Sequence, residues 1–395
     1  MMTAIQTPER ASIHEERNEL GESTGVELER ADATASTGEI GEPFDPEKIE
    51  VQTRSMTIGL MISRIRHKAI DLDPEFQRRR GIWTDARQSR LIESILLKIP
   101  LPTFYAAEDE DETWAIVDGI QRLTAIARFI DPTSTGDTPL ILTGLEYLGL
   151  QFDGKVFGQL TSKMMRRLEE TEVVVHVIKH STPEVVKDNI FARINTGGVP
   201  LSAQELRHAL IGGYARSLLR DWANSTSFLE ATSYAVSPDR MTDRELVLRF
   251  IAFRLSKADD YKSADFDHFL GQAMRSINVM NELELFDHKI AFDKAMKVAF
   301  QIFEDDAFRK RYRVEDSRSP INKALFEAMA VNISELSDQD QRKLVDRRIQ
   351  VKNGFLELMA NREFDRAISQ GTGSIAKIRL RFGKIKELFQ GLLHA

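Results

Sequence analysis

No cysteine occurs among the 395 residues, which excludes disulfides and thiolate metal centres and points to a cytoplasmic setting. No apolar run is long enough to cross a bilayer, and the N-terminus lacks the basic-then-apolar plan of a signal peptide, so no membrane partner is expected. A Gly-x-x-x-x-Gly-Lys-Ser/Thr loop is missing too, which rules out an ordinary P-loop nucleotidase. The eight histidines include no His-Glu-x-x-His and no close pair on a helix face. An excess of basic residues is also wanting. The net charge is −7, and residues 1–50 alone hold 13 Asp or Glu against 4 Lys or Arg. The remainder is therefore close to neutral, and any polyanion contact must come from a local patch rather than a generally basic surface.

What is present divides into three. Residues 1–48 are rich in Ser, Thr, Gly and Glu with few large apolar side chains, and such a segment cannot bury enough surface to offset its ordering entropy. A disordered acidic tail is expected there. From Ile49 to His180 short strands alternate with helices. "TDARQSRLIESILLKIP" reads as a helix capped at Thr84 or Asp85, with Leu91, Ile92, Ile95, Leu96 and Ile99 on its apolar face. "TFYAAED" and "TWAIVDG" read as strands flanking the acidic turn at Glu108–Glu112, and Glu172–His180 as a later strand. Residues 181–395 are helical in period. Ser202–Glu205 and Thr242–Glu245 both fit the capping box. The fold class expected is α+β, an α/β domain over 49–180 followed by an all-helical domain over 181–395.

The most polar corner of the α/β region is Asp118-Gly119-Ile120-Gln121-Arg122. Leu123, Ile126, Ala127 and Ile130 follow at helical spacing, so Gln121 and Arg122 fall in a helix's first turn. That turn exposes unpaired N–H groups and the positive end of the helix dipole, where a cation is unfavourable unless an anion such as phosphate sits alongside. Gly119 would then let the backbone approach it and Arg122 would supply a forked contact. A plainer arrangement, Asp118 capping the helix and pairing with Arg122, meets the same pattern. Two further segments fit an anion site. "DPEFQRRRGIW" sets Gln77, Arg78, Arg79 and Arg80 between Phe76 and Trp83. "FARINTGGVPLSAQELRHAL" places Asn195, Thr196, Gly197 and Gly198 before a capped helix, either as an anion nest or as a helix stop.

Taken in chain order, "DPEFQRRRGIW", "LIESILLKIPLPTFY", "IVDGIQRLTAI" and "FARINTGGVPLSAQELRHAL" resemble the N-terminal domain of GmrSD-type restriction systems, a family known by its DGQQR motif and placed in the ParB/sulfiredoxin-like superfamily. The resemblance runs from about residue 50 to 260. Asp118, Gly119, Gln121 and Arg122 match the motif, and Ile120 stands in place of its first glutamine. Pro74–Arg78 also resembles the phosphate-contact stretch of ParB-type CTPases. The resemblance implies a ParB-like nucleotide-binding domain that binds and hydrolyses an NTP with Mg2+, in bacterial or phage defence. Gln77, Arg78, Gly119, Arg122, Asn195 and Gly197 would bind the nucleotide, with Asp118 and Gln121 catalytic and Asp118 also at the metal. DNA or a separate nuclease or effector protein would be the partner, and an oligomer is compatible with it. Many relatives carry a fused His-Asn-His nuclease, whose histidine pattern is missing from residues 260–395, so no nuclease is expected in this chain. The alternative is a non-enzymatic DNA-binding or adaptor protein that holds nucleic-acid phosphates with the same arginines. "GTGSIA" at Gly371–Ala376 mimics a dinucleotide fingerprint but follows a helical segment rather than a strand, and is set aside. Lys377, Arg379, Arg381, Lys384 and Lys386 give the closing helix a basic character that suits either solvent or nucleic acid.

Overall fold

The computed structural model describes residues 13–18, 21–30, 49–72, 83–183, 186–187, 190–191, 194, 201–263 and 265–394. The chain forms an α+β protein of two compact units, one of residues 40–210 and one of residues 1–39 with 211–395. Among the described residues, no helix is long and apolar enough to cross a membrane.

The N-terminal segment departs from expectation. Residues described within 13–30 form a hairpin of β1 (Glu15–Arg17) and β2 (Ser23–Glu27) that belongs to the helical unit. Glu27 N–H donates to Ile321 O at 2.7 Å and Ile321 N–H to Gly25 O at 2.9 Å, and Gly371 N–H donates to Arg30 O at 2.8 Å. The acids that suggested disorder serve as counter-ions to buried cations. Lys310 and Asn322 donate to the Glu27 carboxylate at 2.6 and 2.9 Å, and Arg249 and Thr372 donate to Glu29 at 2.5 and 2.6 Å. A low-hydrophobicity segment has been ordered by charge pairing and strand pairing rather than by its own apolar content.

In the unit of residues 40–210, β3 (Val51–Thr57) leads into α1 (Ile58–Arg66), capped by Thr57, and then β4 (Ile70–Asp71). α2 (Asp85–Leu96) is capped by the Thr84 hydroxyl and buries Ile92, Ile95 and Leu96. Its end at Leu96 leaves Ile99 half exposed, not on the apolar face where the periodicity placed it. β5 (Phe104–Glu108) and β6 (Trp114–Asp118) pair antiparallel around the acidic turn, α3 (Ile120–Ile130) follows, and α4 (Ser162–Glu170) precedes β7 (Glu172–Ile178). The sheet order is β3-β7-β5-β6-β4. Phe104, Ala106, Val173, Val175 and Val177 are buried on alternate positions of their strands. On the other face Ala107, Val117, Ile178 and Phe191 form a cluster, and Ile190, Ile194, Leu206 and Leu210 pack against it. Hence α5 (Ala203–Leu210), whose capping box joins Ser202 and Glu205 in both directions, belongs with the sheet. The expected boundary at 180/181 moves to 210/211, because these residues cover strand surface that would otherwise meet water.

The second unit is a helical assembly around α6 (Thr242–Leu255) and α7 (Lys323–Ser334), both buried almost throughout. Thr242–Glu245 is not the capping box that its spacing suggests. Met241 occupies the cap position, and Glu245 instead accepts from buried Arg249 and Lys323. The closing helix, α8 (Ile375–His394), carries a fully buried Arg381 that donates to Glu327 on α7. Arg379 donates to the Asp259 carbonyl and Lys384 pairs with Glu387, so the expected basic face is largely a set of internal contacts.

Candidate functional site

The Asp118 corner forms where β6 ends and α3 begins. Gly119 is the N-cap in the left-handed region (φ 91°), and no side chain caps the helix or places an acid in its first turn. An ideal Cβ at Gly119 would lie 2.5 Å from Phe104 Cδ1 and 3.0 Å from Arg122 Nη2, so both sterics and backbone conformation require glycine. Among the described residues, the first-turn N–H groups of this 11-residue helix have no side-chain acceptor.

Arg122 does more within the protein than the sequence suggests. Its Nη1 donates to Pro102 O at 2.5 Å, and its Nη2 donates to Thr103 O at 3.1 Å and to Asp118 Oδ2 at 2.8 Å. The guanidinium also lies 4.7 Å over the Phe104 ring. It therefore ties the entry of β5, the exit of β6 and the start of α3 together. Burial lowers its pKa from the ordinary arginine value, against the raising pull of Asp118. Three of five guanidinium donors are used, and Nε–H and one Nη1–H have no partner among the described residues. Among the described residues the other Asp118 oxygen has no partner, and the side chain is 37% exposed. Gln121 is half-buried beside it, and Ile120, where the motif has glutamine, turns inward to the core at 8% exposure.

Gln77, Arg78, Asn195 and Gly197 lie outside the described residues. Thus Asp118, Gly119, Gln121 and Arg122 are brought together. The residues on either side of the Asn195–Gly198 segment, Ile194 and Leu206, pack on the sheet face that carries Ala107 and Ile178. No group of three or more His, Asp or Glu side chains suited to a metal occurs among the described residues.

Two carboxylates near the sheet are structural. Glu108 accepts from Trp114 Nε1 at 3.2 Å and Lys179 Nζ at 2.5 Å. Burial would raise its pKa, but these hydrogen bonds and the Lys179 charge hold it below the ordinary carboxylate value. Glu93, on α2, takes the backbone N–H groups of Glu146, Tyr147 and Leu148 at 3.0, 2.7 and 2.7 Å. Burial opposes ionisation there too, and the three N–H donors again win.

Sequence reasoning missed three residues that line up across the sheet towards the Asp118 corner, namely Tyr105, His176 and Thr53. The alternation in "EVVVHVIKH" signals that His176 points away from the face of Val173, Val175 and Val177. Which side chains lie beside it depends on strand order and register, which the local pattern does not carry.

The fold and corner together define an α+β domain with an Asp-Gly-x-Gln-Arg turn at a strand-to-helix junction. The family model for the GmrSD restriction endonuclease N-terminal domain matches residues 58–212, so this segment of the chain is similar to that domain. The match begins at α1, contains the corner and ends just after α5, which relates the protein to restriction systems. A search of curated proteins gave no match, and neither did a search of solved structures.

Proposed function

We propose that the sheet-bearing unit is a ParB-like nucleotide-binding module that takes a nucleoside triphosphate at the Asp118 corner and hydrolyses it slowly, acting as sensor or regulator in a restriction-type defence system. The observation that carries this reading is the uncapped start of α3 at Gly119, flanked by an open Asp118 oxygen and by Gln121. Phosphate oxygens accept from the first-turn N–H groups, where the helix dipole favours them. Arg122 acts chiefly as the brace that fixes Asp118, with its two remaining donors directed at phosphate. Asp118 and Gln121 orient the attacking water. Arg78 and Gln77 take the phosphate contacts that the family resemblance implies, and Asn195 with Gly197 supplies the anion nest that their sequence allows.

A magnesium ion fits this site only if phosphates complete its shell. The described residues supply one carboxylate, Asp118, whose second oxygen is already held by Arg122. Magnesium keeps most of its octahedral shell as water and phosphate in such sites, so one carboxylate suffices. When bound, the ion would neutralise charge on the phosphate chain.

A thermal-shift panel of the four ribonucleoside triphosphates, with and without magnesium, tests the reading. Binding stabilises the native protein by RT ln(1 + [L]/Kd), and a melting temperature indifferent to every nucleotide at millimolar concentration rules the site out. Asp118→Asn, nearly isosteric, is expected to abolish hydrolysis and retain the fold. Hydrolysis at the parental rate removes Asp118 from the mechanism. Phosphate binding by DNA instead would show as an affinity that falls steeply with salt and ignores mononucleotides.

A further inference from the structure

Three strands each contribute one side chain to a single row across the sheet, and the row ends beside the backbone of Asp118 on a fourth. Register pairs Thr53 on β3 with His176 on β7, His176 with Tyr105 on β5, and Tyr105 with Asp118 on β6. Regularly paired residues project to the same side, so Thr53, His176 and Tyr105 stand on one face, and the backbone of Asp118 lies beside Tyr105 across a register shift in the β5–β6 ladder. The Tyr105 and His176 rings lie with centroids 5.0 Å apart and planes 35° from parallel. Thr53 Oγ1 is 2.9 Å from His176 Nδ1, which fixes the imidazole and leaves Nε2 without a partner among the described residues.

The row lies at the edge of the covered part of its face. One step along, Ala107 and Ile178 are buried under Phe191 and the residues packed with it. One step the other way, Ser55 and Val174 are exposed. Tyr105 and His176 are half-buried between these limits, and Thr53 is exposed. Neighbouring strands are about 4.8 Å apart, so Tyr105 stands about 5 Å and His176 about 10 Å from Asp118. That span suits a base and ribose leading to a phosphate chain.

The geometry points to Tyr105 and His176 as the base-stacking surface of a nucleoside triphosphate whose phosphates lie at the Gly119–Gln121 turn. This rests on the nucleotide reading above and supplies what that reading lacks, a place for the base. Aromatic rings hold any base through its π-face, and this one is continuous with the corner through the register pair Tyr105–Asp118. His176 Nε2 and the Tyr105 hydroxyl add hydrogen-bonding tips at the edges of that surface.

Isothermal titration of the full chain with ATP, GTP, CTP, UTP and inorganic tripolyphosphate tests it. At least one nucleotide is expected to bind about tenfold or more tightly than tripolyphosphate, which has no base to stack. Tyr105→Ala and His176→Ala should shrink that margin and leave tripolyphosphate binding unchanged, whereas Tyr105→Phe should keep it. Circular dichroism establishes that each variant is folded, and Tyr105→Leu substitutes if the alanine variant is not. Equal affinity for nucleotides and tripolyphosphate overturns the base site while leaving the phosphate site standing. Absence of binding by every probe overturns the nucleotide reading and the base site with it. Binding of a single-stranded oligonucleotide that Tyr105→Ala abolishes, without mononucleotide binding, overturns it in favour of a polynucleotide strand.

Discussion

Gly119→Ala isolates the feature on which the corner depends. A non-glycine residue at φ 91° carries a left-handed backbone cost of about 1–2 kcal/mol. The added methyl also meets the Phe104 ring at 2.5 and 2.9 Å. Phe104 is fully buried and cannot swing aside into solvent, so repacking adds about 1–3 kcal/mol. The sum is about 2–5 kcal/mol. Gly154 provides the control within the same unit, since it has φ 80° with nothing within 4 Å of an added Cβ. Gly154→Ala should therefore show the backbone cost alone, about 1–2 kcal/mol. Guanidinium unfolding followed by tryptophan fluorescence reads both. A Trp222→Phe background leaves Trp83 and Trp114 as reporters, both in the sheet-bearing unit, which matters because a two-unit chain need not unfold in one step. Equal destabilisation by the two substitutions, or a loss under about 0.5 kcal/mol at Gly119, refutes the claim that Phe104 closes the space over the turn.

Other perturbations probe the rest of the molecule. Glu327→Ala leaves buried Arg381 and Arg249 without a shared counter-ion, and Trp222 fluorescence should report a loss of about 3–5 kcal/mol in the helical unit. A loss below about 1 kcal/mol contradicts that account. Glu27→Ala combined with Glu29→Ala should release the N-terminal hairpin, seen as early cleavage between residues 13 and 30 in limited proteolysis with the helical unit still intact. Unchanged protection shows that strand pairing alone holds the segment. Folded Glu93 and Glu108 have lowered pKa values, so their stabilisation is complete above the unfolded carboxylate value and disappears as pH falls through the folded ones. The sheet-bearing unit should thus weaken below about pH 4.3, and Glu93→Gln with Glu108→Gln should flatten that slope. Stability that rises on acidification has the opposite sign and rejects the assignment.

Much of the α/β order was legible because its signals are local. The Thr84 cap, the β5–β6 hairpin, the valine-rich β7 and the Ser202–Glu205 box all follow from spacing and residue type within a few positions. The corner was legible for the same reason, since Asp118 to Arg122 are contiguous. What escaped depends on partners distant in sequence. Glu27 and Glu29 look solvated until Lys310 and Arg249, more than 200 residues away, are placed beside them. The Thr242–Glu245 pattern satisfies a capping rule, but Lys323 and Arg249 compete for the same glutamate and take it. Tyr105 and His176 meet only because β7 inserts between β3 and β5, antiparallel to the first and parallel to the second, an order no window of sequence encodes.

The cation at the start of α3 was the anomaly that singled out the corner, and the structure gives it two answers at once. A helix start repels a cation, yet Arg122 turns its guanidinium back to Asp118 and to the carbonyls of Pro102 and Thr103, where its charge offsets theirs. The dipole's positive end is consequently left with neither an acid nor a cap. A fold requiring only a strand-to-helix turn would gain about 1 kcal/mol from a serine or aspartate at the cap, and this one instead has a glycine pressed against Phe104. On the proposed function, that forgone stabilisation is the cost of preorganising an anion site. A phosphate bound as proposed would recover it by supplying the missing acceptor, which is why ligand-dependent stabilisation is the measurement on which the functional reading turns.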